Sequence, residues 1–172
     1  MMRASFRDYI NILRKNDELL EIAKPVDLRN VAALVSQSEK ALLFKNVAGY
    51  AMPVVSGLLQ SRNRIALGMG VAYDHIADKL GKAMGKPIKP KRVGNPPVKE
   101  VVLTGRKVNL YDLPVPVFSV MDGGPMITAG VVIAEDDEFG INAGIYRLML
   151  KERNITGIDI VTPNNMRKFA ER

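Results

Sequence analysis

The stretch ITAGVVIAEDDEFGINAGIYRLMLKE, residues 127–152, decides the fold of the second half of the chain. Two runs rich in β-branched and aliphatic residues flank the acidic, glycine-containing segment DDEFG, residues 136–140, which predicts a β-hairpin. Side chains alternate between the faces of a strand, so a regular strand would place Asn142 and Arg147 on opposite faces. A bulge or bend near Gly144 would be needed to bring them together.

Two interpretations of these polar residues stay open on the pattern alone. In the first, Asn142 closes the turn after Gly140 and Arg147 pairs with an acid on an exposed edge. In the second, both side chains serve a ligand, because Gly144 lets a ligand lie directly against the backbone. Patterns this short favour the first interpretation.

The segment DGGPMITAG, residues 122–130, precedes the hairpin and combines a tight turn with the start of a strand. Its Thr128 hydroxyl stands beside Ala129 and Gly130. A donor next to nearly bare backbone suits a flat ring or a phosphate oxygen. The same string is also typical of an ordinary entry into a hairpin.

The rest of the chain predicts an α+β fold in two domains. Residues 85–97, GKPIKPKRVGNPP, are rich in proline and glycine and predict an extended boundary, giving domains 1–97 and 98–172. Periodicity and capping residues in the first domain predict the order helix, strand, helix, strand, strand, helix, helix. In the second, VKEVVLTG (98–105) predicts a strand before the hairpin, ITGIDIV (155–161) one after it, and PNNMRKFAER a final helix.

Composition excludes several classes of site. The 172 residues include no cysteine, which rules out disulfides and thiolate nucleophiles, and only one histidine, which argues against a multi-histidine metal site or a serine triad. No apolar stretch approaches the roughly 20 residues of a membrane span. We therefore expect a cytoplasmic protein with no membrane partner.

A net charge of +7 raises the question of a polyanionic partner. Much of the excess lies in KLGKAMGKPIKPKR, residues 79–92, which holds six cations and no acid. Because this run has no aromatic side chain on which a base could stack, a solvated helix end and linker is the favoured interpretation. Binding of nucleic acid remains an alternative function.

Three strings together resemble a known family. They are LLFKNVAGYAMPVVSGLLQSRNRIALGMG (42–70), LPVPVFSVMDGGPMITAGVVIAEDDEFGINAGIYR (113–147) and ITGIDI (155–160). In this order they resemble the N-terminal and early central portion of the UbiD family of prenylated-FMN-dependent (de)carboxylases, of the 3-octaprenyl-4-hydroxybenzoate carboxy-lyase type. The family's central domain is a split β-barrel related to flavin reductases, so the resemblance implies that 98–172 begins such a barrel.

The resemblance also implies a cofactor and the residues that hold it. The cofactor is prenylated FMN with Mn²⁺ or Mg²⁺, and K⁺ is a further candidate ion. Asn142 and Asn165 match the positions of metal ligands, and Arg147 matches the arginine that faces the substrate carboxylate. Contacts to the flavin are implied for Thr128, Gly144, Ile145, Tyr146 and Asn164.

The chemistry of these residue types agrees with the implied roles. Mn²⁺ and Mg²⁺ favour oxygen donors, including an amide oxygen, and a guanidinium fork matches the two oxygens of a carboxylate. The resemblance implies reversible covalent addition of an aromatic or α,β-unsaturated carboxylic acid to the cofactor and loss of CO₂. In such chemistry the cofactor takes up the electrons and the protein orients the substrate.

Two departures from the family pattern limit what this chain does alone. Asn165 stands where the family has a histidine ligand, and the family's catalytic glutamates lie in a portion that follows the matched region. The acids present, Glu135, Asp136, Asp137, Glu138 and Glu152, match no family motif. We therefore expect a missing portion or a second chain to complete the site in a homo- or hetero-oligomer. A non-catalytic subunit or assembly module is the alternative.

Overall fold

The protein, described by a computed structural model, forms two compact units of mixed helix and sheet, Met1–Val102 and Leu103–Arg172. The structure describes residues 5–89, 91–161 and 164–171. In those residues no helix is long and apolar enough to cross a membrane.

Unit 1, Met1–Val102, contains a three-stranded sheet and four α-helices. The strands are β1 (Leu19–Ile22), β2 (Ala41–Phe44) and β3 (Val54–Ser56), and the helices are α1 (Phe6–Lys15), α2 (Val31–Ser36), α3 (Arg62–Met69) and α4 (Ile76–Gly85). Short 3-10 turns precede α2 and α4. The central strand β2 runs parallel to β1 and antiparallel to β3. This is the element order that the sequence predicts.

Local side-chain bonds fix where the first helix of unit 1 begins. The Ser5 hydroxyl accepts a hydrogen bond from the Asp8 backbone N–H at 3.1 Å, and the Asp8 carboxylate accepts one from the Ser5 N–H at 2.9 Å. This reciprocal pair is a capping box, which satisfies two backbone donors at the start of α1. The helix then buries Leu13 completely.

The core of unit 1 lies around the central strand β2. Phe44 is fully buried there and Leu42 nearly so, and Val31 and Val35 of α2 belong to the same cluster. Packing of α2 against β2 explains why a helix of only six residues is stable, since most helical stability in proteins comes from tertiary burial.

A buried arginine ties the elements of unit 1 together. Arg64 is 2% exposed, and its Nη1 donates to the Glu18 carboxylate at 3.0 Å and to the Glu39 carbonyl at 2.7 Å. The Tyr9 hydroxyl donates to the carbonyls of Leu58 and Arg64 at 3.0 and 3.1 Å. Helix α3 is thereby joined by hydrogen bonds to α1, to the residue before β1 and to the residues before β2.

Unit 2, Leu103–Arg172, is an antiparallel meander with a short helix. Its strands are β4 (Met126–Asp136), β5 (Gly140–Glu152) and β6 (Ile155–Asp159), in that order across the sheet, followed by α5 (Asn165–Ala170). The predicted hairpin, the strand after it and the final helix are all present. Tyr146, Leu150 and Met166 are the buried apolar side chains among the described residues of this unit.

The prediction of a strand over residues 98–105 is wrong. That segment instead contains a 3-10 turn at Pro97–Lys99, and a second turn follows at Gly105–Lys107. The side chains of Val98, Val101 and Val102 are more than 60% exposed. β-branched residues stabilise a strand through packing against neighbouring strands, and no described strand lies beside this segment.

Candidate functional site

Strand β5 presents two different faces. Asn142, Gly144 and Tyr146 lie on its more buried face, and Ile145 and Arg147 lie on the exposed face. The pairing between β4 and β5 is continuous from Gly130↔Tyr146 to Asp136↔Gly140, so nothing reverses this alternation. The structure therefore places the side chains of Asn142 and Arg147 on opposite faces of the sheet.

The irregularity that would bring Asn142 and Arg147 together is absent from β5 near Gly144, and a register shift occurs instead in β4. The register shifts between Ile127↔Leu148 and Gly130↔Tyr146, so that Thr128 and Ala129 together stand opposite Arg147. Two residues facing one constitute a β-bulge, which bends the strand and redirects side chains. The bulge thus acts on the surroundings of Arg147 and leaves Asn142 where regular alternation puts it.

Arg147 is exposed and forms an ion pair across the sheet. Its Nη2 donates to the carboxylate of Asp159, the residue directly opposite on β6. Its other guanidinium nitrogens bond to none of the described residues, so most of the five N–H donors remain open. Sequence reasoning missed Asp159 because the register of β6 cannot be read from a single strand.

A hollow of about 200 Å³ lies beside this ion pair. It is lined by Thr128, Ile145, Tyr146, Arg147, Asp159, Val161 and Asn164. Five of the residues predicted to serve the site therefore meet at one place, although they come from β4, β5 and the start of α5. Gly144, Asn142 and Asn165 are outside the lining.

Neighbouring asparagines at the start of α5 have different environments. The Asn164 side-chain oxygen accepts a hydrogen bond from the Arg167 backbone N–H at 3.0 Å and lies 3.5 Å from the Tyr146 hydroxyl. Asn164 is thus the cap of α5. Asn165 is exposed, and its side chain bonds to none of the described residues.

Asn142 carries an uncommitted amide. The residue is half-buried, and among residues 5–89, 91–161 and 164–171 its side chain has no hydrogen-bond partner. A partly buried polar group without a partner leaves its bonding capacity for something else. Amide oxygens suit Mn²⁺ or Mg²⁺, but such ions take about six oxygen ligands. Asn142 and Asn165 therefore fit the donor chemistry of these ions. They need further ligands, because no described group of three His, Cys, Asp or Glu side chains could hold a metal ion.

Gly144 makes room for its own neighbour. A Cβ at Gly144 would lie 2.5 Å from Cε2 of the Tyr146 ring, which folds back over the glycine on the buried face. Glycine in a strand commonly marks a close approach of another group. On that face the approaching group is Tyr146, which leaves the backbone edge of β5 as the surface available to a ligand.

That backbone edge is open along half of β5. Strand β6 pairs with β5 from Arg147 to Glu152, and no described strand pairs with Gly140–Tyr146 on the same side. At such an edge the unpaired N–H and C=O groups and the side chains of both faces are accessible. Asn142 and Arg147 can therefore contact one elongated ligand despite facing opposite sides.

Family models match nearly the whole chain. The model of the 3-octaprenyl-4-hydroxybenzoate carboxy-lyase N-terminal domain matches residues 10–84, and the model of the Rift-related domain of the same enzyme matches residues 90–172. The chain belongs to the UbiD family. This membership accounts for both units and leaves nucleic-acid binding without support.

Relatives of known activity include one curated enzyme and several solved structures. The chain is 33% identical to the anhydromevalonate phosphate decarboxylase of Methanosarcina mazei, over 98% of this chain and 40% of that protein. It is 34% identical to the UbiD-class enzyme HmfF of Pelotomaculum thermopropionicum, solved with FMN, with a TM-score of 0.87 over 95% of this chain and 38% of that one.

The likeness of fold extends further than the likeness of sequence. The vanillic acid decarboxylase of Sedimentibacter hydroxybenzoicus has a TM-score of 0.84 at 22% identity, covering 99% of this chain and 39% of that one. Such identity establishes a shared fold alone. The chain thus spans 30–40% of the length of these and other relatives that it matches.

Proposed function

We propose that the complete protein is a UbiD-class decarboxylase that binds prenylated FMN with Mn²⁺ or Mg²⁺ and releases CO₂ from an aromatic or α,β-unsaturated acid. The observation that carries this proposal is the hollow where Thr128, Arg147 and Asn164 meet, at the end of the open edge of β5. Relatives solved with FMN and with prenylated FMN support a flavin as the ligand.

The dimensions of β5 suit an elongated cofactor. Asn142 and Arg147 are five residues apart, a separation of about 16 Å along an extended strand. A flavin mononucleotide has a phosphate at one end and a ring at the other. Asn142 would hold the metal ion at the phosphate end, the backbone of Gly144–Tyr146 would run along the cofactor, and Thr128 would contact it near Arg147.

Arg147 is the residue we assign to the substrate carboxylate. Its unbonded guanidinium nitrogens offer a fork that matches two carboxylate oxygens, while Asp159 holds the other side of the group in place. Fixing the carboxylate limits the orientations of the bond to be broken, which is how positioning lowers a barrier. When bound, the prenylated flavin would supply the electron sink for the electron pair that stays on the substrate carbon when CO₂ leaves.

The apolar side chains exposed on one face of the sheet support the proposal that another segment or chain completes the site. Val131, Ile133, Ile141 and Ile145, here called the apolar sheet face, are between 64% and 72% exposed and share the face of Arg147. A contiguous apolar surface of this kind marks an interaction site. We propose that the remainder of a split β-barrel, or a second chain, covers it. That cover also encloses Arg147 and brings the catalytic glutamates.

Asn165 favours a second candidate function. An exposed amide where the family has histidine weakens the metal site, and a subunit that kept the fold without the metal would serve as an assembly module. Such a module binds its partner chain but no flavin. The two functions therefore differ in a property that can be measured directly.

The test uses the complete protein, co-expressed with an enzyme that prenylates FMN. We expect flavin absorbance and bound Mn²⁺ in the purified protein, and metal affinity at least about tenfold weaker in Asn142→Ala. Asn95→Ala, a change at an exposed asparagine in the proline-rich segment 85–97 of unit 1, is the control and should bind both normally. Arg147→Met should keep flavin and metal but lose about 10²-fold or more in turnover.

Partner binding without flavin would establish the assembly module. Equal metal affinity in Asn142→Ala and Asn95→Ala would remove Asn142 from the metal site. In the first case the hollow beside Arg147 would need another ligand.

A further inference from the structure

A second hollow, of about 270 Å³, lies on the other side of Arg147 on the same sheet face. Its walls include Met126 of β4, Met149 and Lys151 of β5, and Gly157 of β6. It shares Arg147 and Asp159 with the first hollow. Whatever binds at Arg147 therefore has a second compartment into which it can extend.

Gly157 creates the space in this hollow. It stands directly opposite Met149, and Met149 stands directly opposite Met126, so the three form one row across the sheet. At Gly157 the row has no side chain, which leaves a trough with thioether walls. Methionine side chains adapt to varied apolar shapes, so these walls suit a carbon skeleton.

The Lys151 side chain extends over Gly157 and lines the trough. A Cβ on Gly157 would lie 3.2 Å from the Lys151 Cε, so the lysine stem covers the place where a larger residue would stand. Lys151 is also the extra residue of a bulge, because the register passes from Leu150↔Thr156 to Glu152↔Ile155. Bulges near binding sites redirect side chains, and this one directs Lys151 over β6.

The trough carries one unbalanced positive charge. Arg147 is offset by Asp159, whereas the Lys151 ammonium forms no ion pair or hydrogen bond with any described residue. The Lys151 side chain is exposed and has no ion-pair partner among the described residues, so its ammonium is available to an anionic ligand, and hydrogen bonds between charged groups are the stronger ones. The trough is thus apolar in the middle, with the Arg147–Asp159 ion pair at one end and the unpaired Lys151 ammonium at the other.

We propose that this trough receives the distal end of the substrate, and that the substrate carries a second anionic group which pairs with Lys151. The proposal rests on the proposed function for the carboxylate at Arg147. The ligand class is a carboxylic acid with an apolar carbon spacer and a second carboxylate or a phosphate. Along the strand Arg147 and Lys151 are about 13 Å apart, and both long side chains can shorten that gap.

The experiment compares adipate, which has two carboxylates, with hexanoate, which has the same carbon skeleton and one carboxylate. Binding of each to the complete protein is measured by calorimetry, in wild type, Lys151→Met and Lys107→Met. Methionine keeps most of the lysine stem and removes the charge, and Lys107 is an exposed lysine of the same unit outside the trough.

We expect wild type to bind adipate about tenfold more tightly than hexanoate, as for one charge-assisted hydrogen bond. Lys151→Met should lose that preference and Lys107→Met should keep it. An analogue of adipate with a phosphonate in place of one carboxylate distinguishes the two anions, since the tighter ligand identifies the preferred group.

Equal binding of adipate and hexanoate by wild type overturns the inference, as does an adipate preference that survives in Lys151→Met. Flavin absorbance, recorded on the same samples, reports on the proposed function separately. Protein that holds flavin without an adipate preference overturns the inference alone. If the protein prefers adipate in a Lys151-dependent way but never binds flavin, the anion site at Lys151 is supported and the proposed decarboxylase function is overturned.

Discussion

Unit 1 and unit 2 differ in where their apolar side chains lie. Unit 1 buries Phe44, Leu42 and Leu13 nearly completely around one strand. Unit 2 has a sheet with the longer strands, yet Ile133 and Ile145 at its centre are 71% and 72% exposed. Unit 1 buries the apolar side chains that stabilise it. Unit 2 instead exposes apolar side chains that a ligand or a covering chain could contact.

The largest effect should come from the ion pair between the buried Arg64 and the partly exposed Glu18 in unit 1. Arg64→Met leaves the Glu18 carboxylate and the Glu39 carbonyl without their donor. Arg64→Met removes two hydrogen bonds of a buried guanidinium, one of them to a carboxylate that is 26% exposed, and should lower the free energy of unfolding by about 3 kcal/mol. Urea unfolding, followed by circular dichroism, measures the loss.

Arg62→Met is the matched control for that change. Arg62 is an exposed arginine on the same helix and makes one long hydrogen bond, of 3.4 Å, to the Tyr73 hydroxyl. Its replacement should change the free energy of unfolding by less than about 0.5 kcal/mol. Similar losses for the two variants would mean that Arg64 does not join the elements of unit 1.

A smaller effect is expected at the contact between Gly144 and Tyr146 in unit 2. In Gly144→Ala the new methyl group meets the Tyr146 ring at 2.5 Å, so the ring must leave its buried position. Overpacking of this kind costs about 1–3 kcal/mol. Differential scanning calorimetry should show a lower transition temperature for unit 2.

A glycine with open space around it provides the contrast. Gly81 lies in α4, and a Cβ there meets nothing within 4 Å. Gly81→Ala should stabilise unit 1 by up to about 1 kcal/mol, because alanine has the higher helix propensity. A stable Gly144→Ala protein with unchanged tyrosine fluorescence would show that the ring does not need the glycine.

The sequence predicts local structure well and pairing poorly. Alternation and turn residues locate β4 and β5, and Ser5 locates the start of α1, since each signal lies within a few residues. The strand expected at 98–105 fails because a strand exists only when another pairs with it. The same dependence on pairing applies to the candidate site. The family motifs point to Thr128 and Arg147, but the positions of Asp159 and Lys151 beside Arg147 follow from the register between β5 and β6.

The position of the bulge in β4 shows why the geometry of the site could not be predicted from the sequence. Convergence of Asn142 and Arg147 would need an irregularity in β5, for which Gly144 is the suitable residue. The bulge lies in β4 next to Gly130, where an added Cβ would meet the Leu148 Cδ1 at 2.9 Å. That contact joins residues far apart in the chain, which no local pattern reports.

The apolar sheet face should give the smallest effect on folding and the clearest one on association. Ile133 and Ile145 are exposed, so the double variant Ile133→Lys, Ile145→Lys should change the free energy of unfolding by less than about 1 kcal/mol in total. The wild-type chain should elute from gel filtration as an oligomer or complex, since exposed apolar surface of this kind favours pairing. The lysine variant should elute as a monomer, because two buried ammonium groups oppose any contact through this face. A monomeric wild-type chain, or a variant that unfolds, would mean that unit 2 is as self-contained as unit 1, and the difference between the units would then lie only in their burial patterns.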